Sequence, residues 1–198
     1  MLFTKKNKFS LGEAQIKEEL LSKDGKPLLK INLKCPEIQA NARESLAVFA
    51  KGFYQKLINS FAEYAKSELL REAENAYNDS PEDFLPYSAL ISYNVTYLDE
   101  RFLSVVTDIS VSDGRGALTR ERKTQVWERE YGTKCKFSYF INKKALDSVL
   151  EEALPDMPKR NIDRDLFALT EKGMVVYIKN GDGYSEILVP NEKNTEKF

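Results

Sequence analysis

Between Asn41 and about Tyr77 the apolar residues recur at steps of three and four: Leu46, Phe49, Phe53, Leu57, Phe61, Tyr64, Ala65, Leu69, Ala73 and Ala76. That spacing matches the α-helical turn, and Lys51, Gln55, Lys56, Glu63, Lys66, Glu68 and Glu72 fall on the other side. The pattern predicts an amphipathic helix over about residues 41–78, roughly 50 Å long at 1.5 Å per residue. That is long for a chain of 198 residues. Gly52 offers a site for a kink, and Asn78-Asp79-Ser80-Pro81 is a stop.

Before the helix the period is two. Leu29, Ile31, Leu33 and Cys35 alternate with Lys30, Asn32 and Lys34, and Lys23-Asp24-Gly25-Lys26 precedes them. Asp-Gly between hydrophobic runs is a strong hairpin signal, so residues 14–36 read as two antiparallel strands ended by Pro36. After the helix, Ala89 to Tyr97 and Phe102 to Val111 form a second pair around Leu98-Asp99-Glu100-Arg101. A strand over Lys123–Glu130 holds Trp127, and Tyr131-Gly132-Thr133-Lys134 turns it into Cys135-Lys136-Phe137. A second helix runs from Asn142, its cap, to Leu154 before Pro155. Leu166–Thr170, Met174–Lys179 and Ile187–Val189 close the chain as strands, and residues 191–198 read as a flexible tail. The order predicts a single α+β domain over residues 1–190: an antiparallel β-sheet with one long and one shorter helix packed on one face.

The chain contains no histidine. That excludes Ser-His-Asp and Cys-His nucleophile pairs, HExxH zinc sites, Cys2His2 fingers and any imidazole switch. With 30 Lys+Arg against 31 Asp+Glu the net charge is −1, which argues against nucleic acid as the partner. Cys35 and Cys135 form no CxxC, and two buried thiols are expected rather than a disulfide. No signal-peptide core follows the lysines near Met1, and the longest uncharged stretch, Phe84–Leu98, is too short and polar to span a bilayer. As written the chain reads as cytoplasmic; a longer native chain would allow an extracytoplasmic place.

Four groups of residues are candidates for function. Gly114-Arg115-Gly116, with Arg120 and Arg122 beyond it, offers either an anion cradle or a tight inter-strand loop that needs glycine. Tyr87, Tyr93 and Tyr97 share one face of a strand, as a ligand groove or as core against a helix. Asn180-Gly181-Asp182-Gly183 lacks the ligand spacing of a calcium loop and reads as a hairpin turn. Glu128 with Glu130, and Glu151 with Glu152, read as surface charge. No cofactor or metal is expected.

From Cys35 onward the segments together resemble the domain-of-unknown-function 3298 family, the C-terminal domain of RsiV-type anti-sigma factors and of a PdaC-type peptidoglycan deacetylase. Cys35-Pro36 matches a Tyr-Pro-like strand end, followed by the long helix, Pro86-Tyr87 and a hairpin with Leu103-Ser104. Arg115-Gly116-Ala117-Leu118 stands in place of a Gly-Gly-Ala-His loop. Thr124-Gln125-Val126-Trp127-Glu128 through Lys134 is similar to the family's Thr-Trp-Asp-Leu-x-x-Gly-Lys-like run. Phe167–Tyr177 and Ile187–Pro190 are similar to its end, so that the likeness covers residues 25–190.

The resemblance implies an α+β fold. In the RsiV type this domain is extracytoplasmic and binds lysozyme; in the deacetylase it accompanies a separate catalytic domain; stand-alone members have no known activity. Leu118 replaces the family His, so no site residue is carried over. The expected function is a non-catalytic binding or regulatory domain for a protein or cell-envelope ligand, using Tyr93 and Tyr97 with Arg115 and Arg120. The alternatives are a small carboxylate-based hydrolase centred on Asp113, and a structural homo-oligomeric protein.

Overall fold

The computed structural model describes residues 10–39, 45–153, 163–181 and 183–191. The N-terminal hairpin forms as the Asp-Gly turn requires: β1 (Ser10–Leu21) pairs antiparallel with β2 (Pro27–Gln39). Gly25 takes φ +82° and donates to Ser22 O at 3.0 Å, while Ser22 N donates to Lys26 O at 2.8 Å. Both strands outrun their expected limits, and Pro36 lies inside β2 opposite Glu13. The next strand pairs with β2 only over Leu29–Leu33, so at Pro36 one flank of β2 needs no N–H donor.

The long helix forms as three continuous segments: α1 (Ser45–Tyr64), a π-helical turn (Ala65–Leu69) and α2 (Leu70–Asp79). Leu46, Ala50, Tyr54, Ile58, Ala62, Ala65, Leu69 and Ala73 are buried, and α1 and α2 lie along β2. Residues stepping by four run ahead of the helical turn by about 40° each time. The wider π turn takes part of that lead back, so that Ala65, Leu69 and Ala73 stay on the buried side. The irregularity therefore lies at residues 65–69 and not at Gly52. Leu46, Ala65, Leu69 and Ala73 are buried as expected, but between them the buried stripe is displaced by one residue, to Ala50, Tyr54, Ile58 and Ala62. Phe49 is 59% exposed and Phe53, Leu57 and Phe61 are only half-buried.

Because this helix carries the chain back along the sheet, β3 (Tyr87–Leu98) enters beside β2 in parallel. With β4 (Phe102–Ser112) and β5 (Ala117–Glu128) the order is β1-β2-β3-β4-β5. The α+β class is as the sequence predicts. The expected single antiparallel sheet is replaced by this mixed one and a separate antiparallel sheet of β6 (Phe167–Thr170), β7 (Gly173–Asn180) and β8 (Gly183–Pro190). The chain divides into two compact units, Met1–Tyr93 with Thr107–Glu121 and Asn94–Val106 with Arg122–Phe198.

The second unit has its own core. Cys135 N donates to Val126 O at 2.7 Å, and the chain then enters a short helix, α3 (Phe137–Phe140). This turn buries Phe140, whose ring meets Phe102 at 5.3 Å, Tyr139 at 5.1 Å and Phe167 at 5.9 Å. α4 (Lys143–Ala153) starts on its expected cap: Asn142 Oδ1 accepts from Ala145 N at 2.9 Å. Strand β6 pairs with β7 on one side, and two buried hydroxyls serve its other edge. Phe167 N donates to Thr124 Oγ1 at 3.0 Å and Leu169 N to Ser104 Oγ at 2.9 Å. The expected tail, apart from Asn191, lies outside the described residues, as does Pro155.

Candidate functional site

In the first unit, the α2 C-terminus, the loop that follows it and the β4–β5 loop line a half-open cavity of about 130 Å³, with Ala76, Ser80, Phe84, Leu85, Tyr87, Asp113 and the exposed Arg115 around it. Two of the lining rings, Phe84 and Tyr87, continue into a ladder that Tyr77 extends outside the lining. Phe84 stacks on Tyr87 at 6.2 Å, and Tyr77 meets Phe84 edge-on at 5.4 Å. At the outer ring Lys26 Nζ lies 5.4 Å from the Tyr77 centroid, and Tyr77 donates its hydroxyl to Asp24 at 2.5 Å. Burial pushes the pKa of the Tyr87 hydroxyl up; Asp113 and Glu72 push the same way and Arg115 opposes them.

The Gly114-Arg115-Gly116 loop proves to be the tight connection rather than an anion cradle. Its N–H groups are already bonded: Gly114 N to Ser112 Oγ at 3.1 Å, Arg115 N and Gly116 N to Asp113 Oδ1 at 2.9 and 3.1 Å. Gly114 has φ +84°, and a Cβ there would come within 2.5 Å of Leu85 Cβ. The loop is thus wedged against the strand of chain that supplies the aromatic ladder. Arg115 reaches across to Asp83 O at 3.4 Å.

The other candidate residues lie elsewhere. Tyr93 is half-buried on the face of β3 that holds buried Ala89 and Ile91; burial raises its pKa, as does Glu13, against Lys34. Tyr97, in the second unit, packs on that unit's core and donates to Asp99 Oδ2 at 3.0 Å; burial and this bond raise its pKa. Arg120 is exposed. Its neighbour Arg122 is the engaged one, with its guanidinium 4.7 Å from the Tyr177 ring and 5.1 Å from the Tyr184 ring, and Glu186 at 3.6 Å. Of the four residues expected to act together, Arg115 alone lines the cavity. The sequence reading missed Ser80, Phe84 and Leu85. The available signal was the aromatic set Tyr77, Phe84 and Tyr87 flanking Pro81 and Pro86.

Both cysteines are buried free thiols, and burial pushes Cys35 up to about 12 and Cys135 to about 11. Asn180 and Gly183 pair as the ends of a hairpin turn, with Gly181 at φ +56°; Asp182 lies outside the described residues. Leu118 belongs to β5, but its side chain is likewise outside them. Among the described residues no group of three His, Cys, Asp or Glu side chains is placed to hold a metal, and no helix is long and apolar enough to cross a membrane.

The α1 surface is a second candidate. Beside its buried stripe runs an apolar one: Val48 at 60% and Phe49 at 59% exposure, then half-buried Phe53, Leu57 and Phe61, then Tyr64 at 40%.

No protein-family model matches the chain, and no curated protein does. Solved structures of DUF3298 family members match the chain in fold, a mixed α+β architecture. A DUF3298 family member from Bacteroides fragilis superposes with a TM-score of 0.69, covering 96% of this chain and 95% of that one at 13% identity. A second, from Pseudomonas aeruginosa, gives 0.52 over 93% and 92% at 11% identity. The protein has the fold of DUF3298 family members, as the sequence resemblance implies.

Proposed function

We propose that this protein is a non-catalytic binding domain of the RsiV-like class that engages a protein or cell-envelope ligand. The observation that supports this best is the apolar stripe on α1. Each exposed ring in such a run gains by being covered, and aromatic side chains dominate the energy of protein contacts. A stripe of Val, Phe and Leu offers contact surface and no acid, base or nucleophile.

The test compares wild type with a Val48→Ser, Phe49→Ser variant. Both positions are largely exposed, so the fold should survive. Immobilised wild type is challenged with cell-envelope extract and soluble lysate, and its mass in solution is measured by light scattering. A ligand bound by wild type and weakened about thirtyfold in the variant supports the proposal, corresponding to roughly 2 kcal/mol at a central contact. Equal retention by both proteins refutes it. A wild-type dimer that becomes monomeric in the variant also refutes it, in favour of a homo-oligomeric role.

A further inference from the structure

We propose that the cavity between the α2 C-terminus and the β4–β5 loop binds a small α-amino-acid zwitterion. This rests on the cavity alone and is independent of the α1 stripe. Its lining carries one charge of each sign, Asp113 and Arg115, two residues apart. The two do not neutralise one another: Asp113 takes the Arg115 and Gly116 backbone N–H groups on Oδ1, and the Arg115 side chain turns to Asp83 O. Asp113 Oδ2 and the rest of the guanidinium are left for a ligand. A simple anion here would lie beside Asp113, and a simple cation beside Arg115. A molecule carrying both charges pairs with each and is repelled by neither.

The walls fit the same class. The last carbonyls of α2 give the Ser80 side of the cavity the negative end of a helix, which favours an ammonium. The Ser80 hydroxyl is turned to Asp83 Oδ2 at 3.4 Å, so Arg115 is the lining group that can donate to a carboxylate. The stacked Phe84 and Tyr87 rings, with Leu85, offer an apolar surface for a small side chain. The same ladder already holds a cation in this chain, Lys26 over Tyr77. A volume of about 130 Å³ is well below the roughly 300–1,000 Å³ of sites for drug-sized ligands, which favours a small molecule. The wedge of Gly114 against Leu85 and the bonded loop fix this geometry before a ligand arrives.

The experiment follows backbone amide signals by NMR while glycine, alanine, leucine, acetate or methylammonium is added. Glycine and alanine should shift Leu85, Gly114, Arg115 and Gly116 saturably. Acetate, methylammonium and leucine should each bind at least about tenfold more weakly, one charge-assisted bond or one misfit side chain being worth that much. Asp113→Asn, which keeps an acceptor oxygen for the loop, and Arg115→Gln should each weaken alanine about tenfold, with signals outside the loop unchanged; Arg120→Gln should leave binding intact. Acetate binding as tightly as alanine would make the cavity an anion site and overturn the proposal. Equal binding of methylammonium, or no saturable shift with any probe, overturns it as well.

Discussion

The β6 edge offers the sharpest test of how the second unit is held together. Phe167 and Leu169 point their N–H groups away from β7, and each has one hydroxyl acceptor, Thr124 Oγ1 and Ser104 Oγ. Phe167 is 3% exposed and Leu169 is fully buried, so water cannot take the place of a lost hydroxyl. Orphaning one buried N–H costs about 1–3 kcal/mol. Ser104→Ala also deprives the Thr96 hydroxyl of its 2.8 Å partner, although the Ser104 carbonyl remains within 3.4 Å. Thr124→Val preserves shape but also removes the bond to Asp165 O at 3.2 Å. Each variant should therefore lose about 2 kcal/mol, or roughly 4–8 °C in Tm for a chain of this size. The two acceptors serve one four-residue strand, so the double variant should lose less than the sum, about 3 kcal/mol. Urea unfolding would give the free energies, and hydrogen exchange would report the two amides. Losses below about 0.5 kcal/mol, with both amides still protected, would refute the assignment of these hydroxyls as the strand's edge partners.

Two further outcomes follow from single positions. Gly173 sits at φ +145° with its would-be Cβ directed into the Val189 carbonyl oxygen, so Gly173→Ala should lower the urea midpoint by the equivalent of about 2–3 kcal/mol; an unchanged midpoint would contradict the geometry. The thiol of Cys35 is raised from 9.0 to about 12 and that of Cys135 to about 11, both chiefly by burial. Above pH 9 the unfolded chain loses these protons while the native chain keeps them, so stability should fall as pH rises from about 9 towards 12. Cys35→Ala should show a shallower alkaline decline in unfolding midpoints than wild type, and an identical slope would exclude the thiol as its source.

The features legible in the sequence are those set within a few residues. The Asp-Gly turn, the Asn142 cap, the stop at Asn78–Pro81 and the period of the long helix each need only local backbone preference, and each is found in place. Periodicity also located the apolar side of α1, but not which part of it is covered. A stripe about as wide as Leu46–Phe49 allows several rotations, and packing along β2 selects Ala50, Tyr54 and Ile58 while leaving Phe49 out. Arg120 and Arg122 look equivalent in sequence; only the arrival of β7 and β8 gives Arg122 two rings and leaves Arg120 exposed.

Composition and side-chain period were enough to close imidazole-based chemistry to these 198 residues and to order most of their elements. The zero count of histidine needs no fold to be decisive, and strands and helices follow from side-chain period. The tertiary structure alone decided that β2 and β3 run parallel, that β6–β8 leave the first sheet, and that Asp113 and Arg115 share a cavity with Phe84 and Tyr87. Those outcomes depend on contacts between residues tens of positions apart. Such contacts are fixed by the competition to bury one apolar surface against another, and no local signal along the chain encodes them.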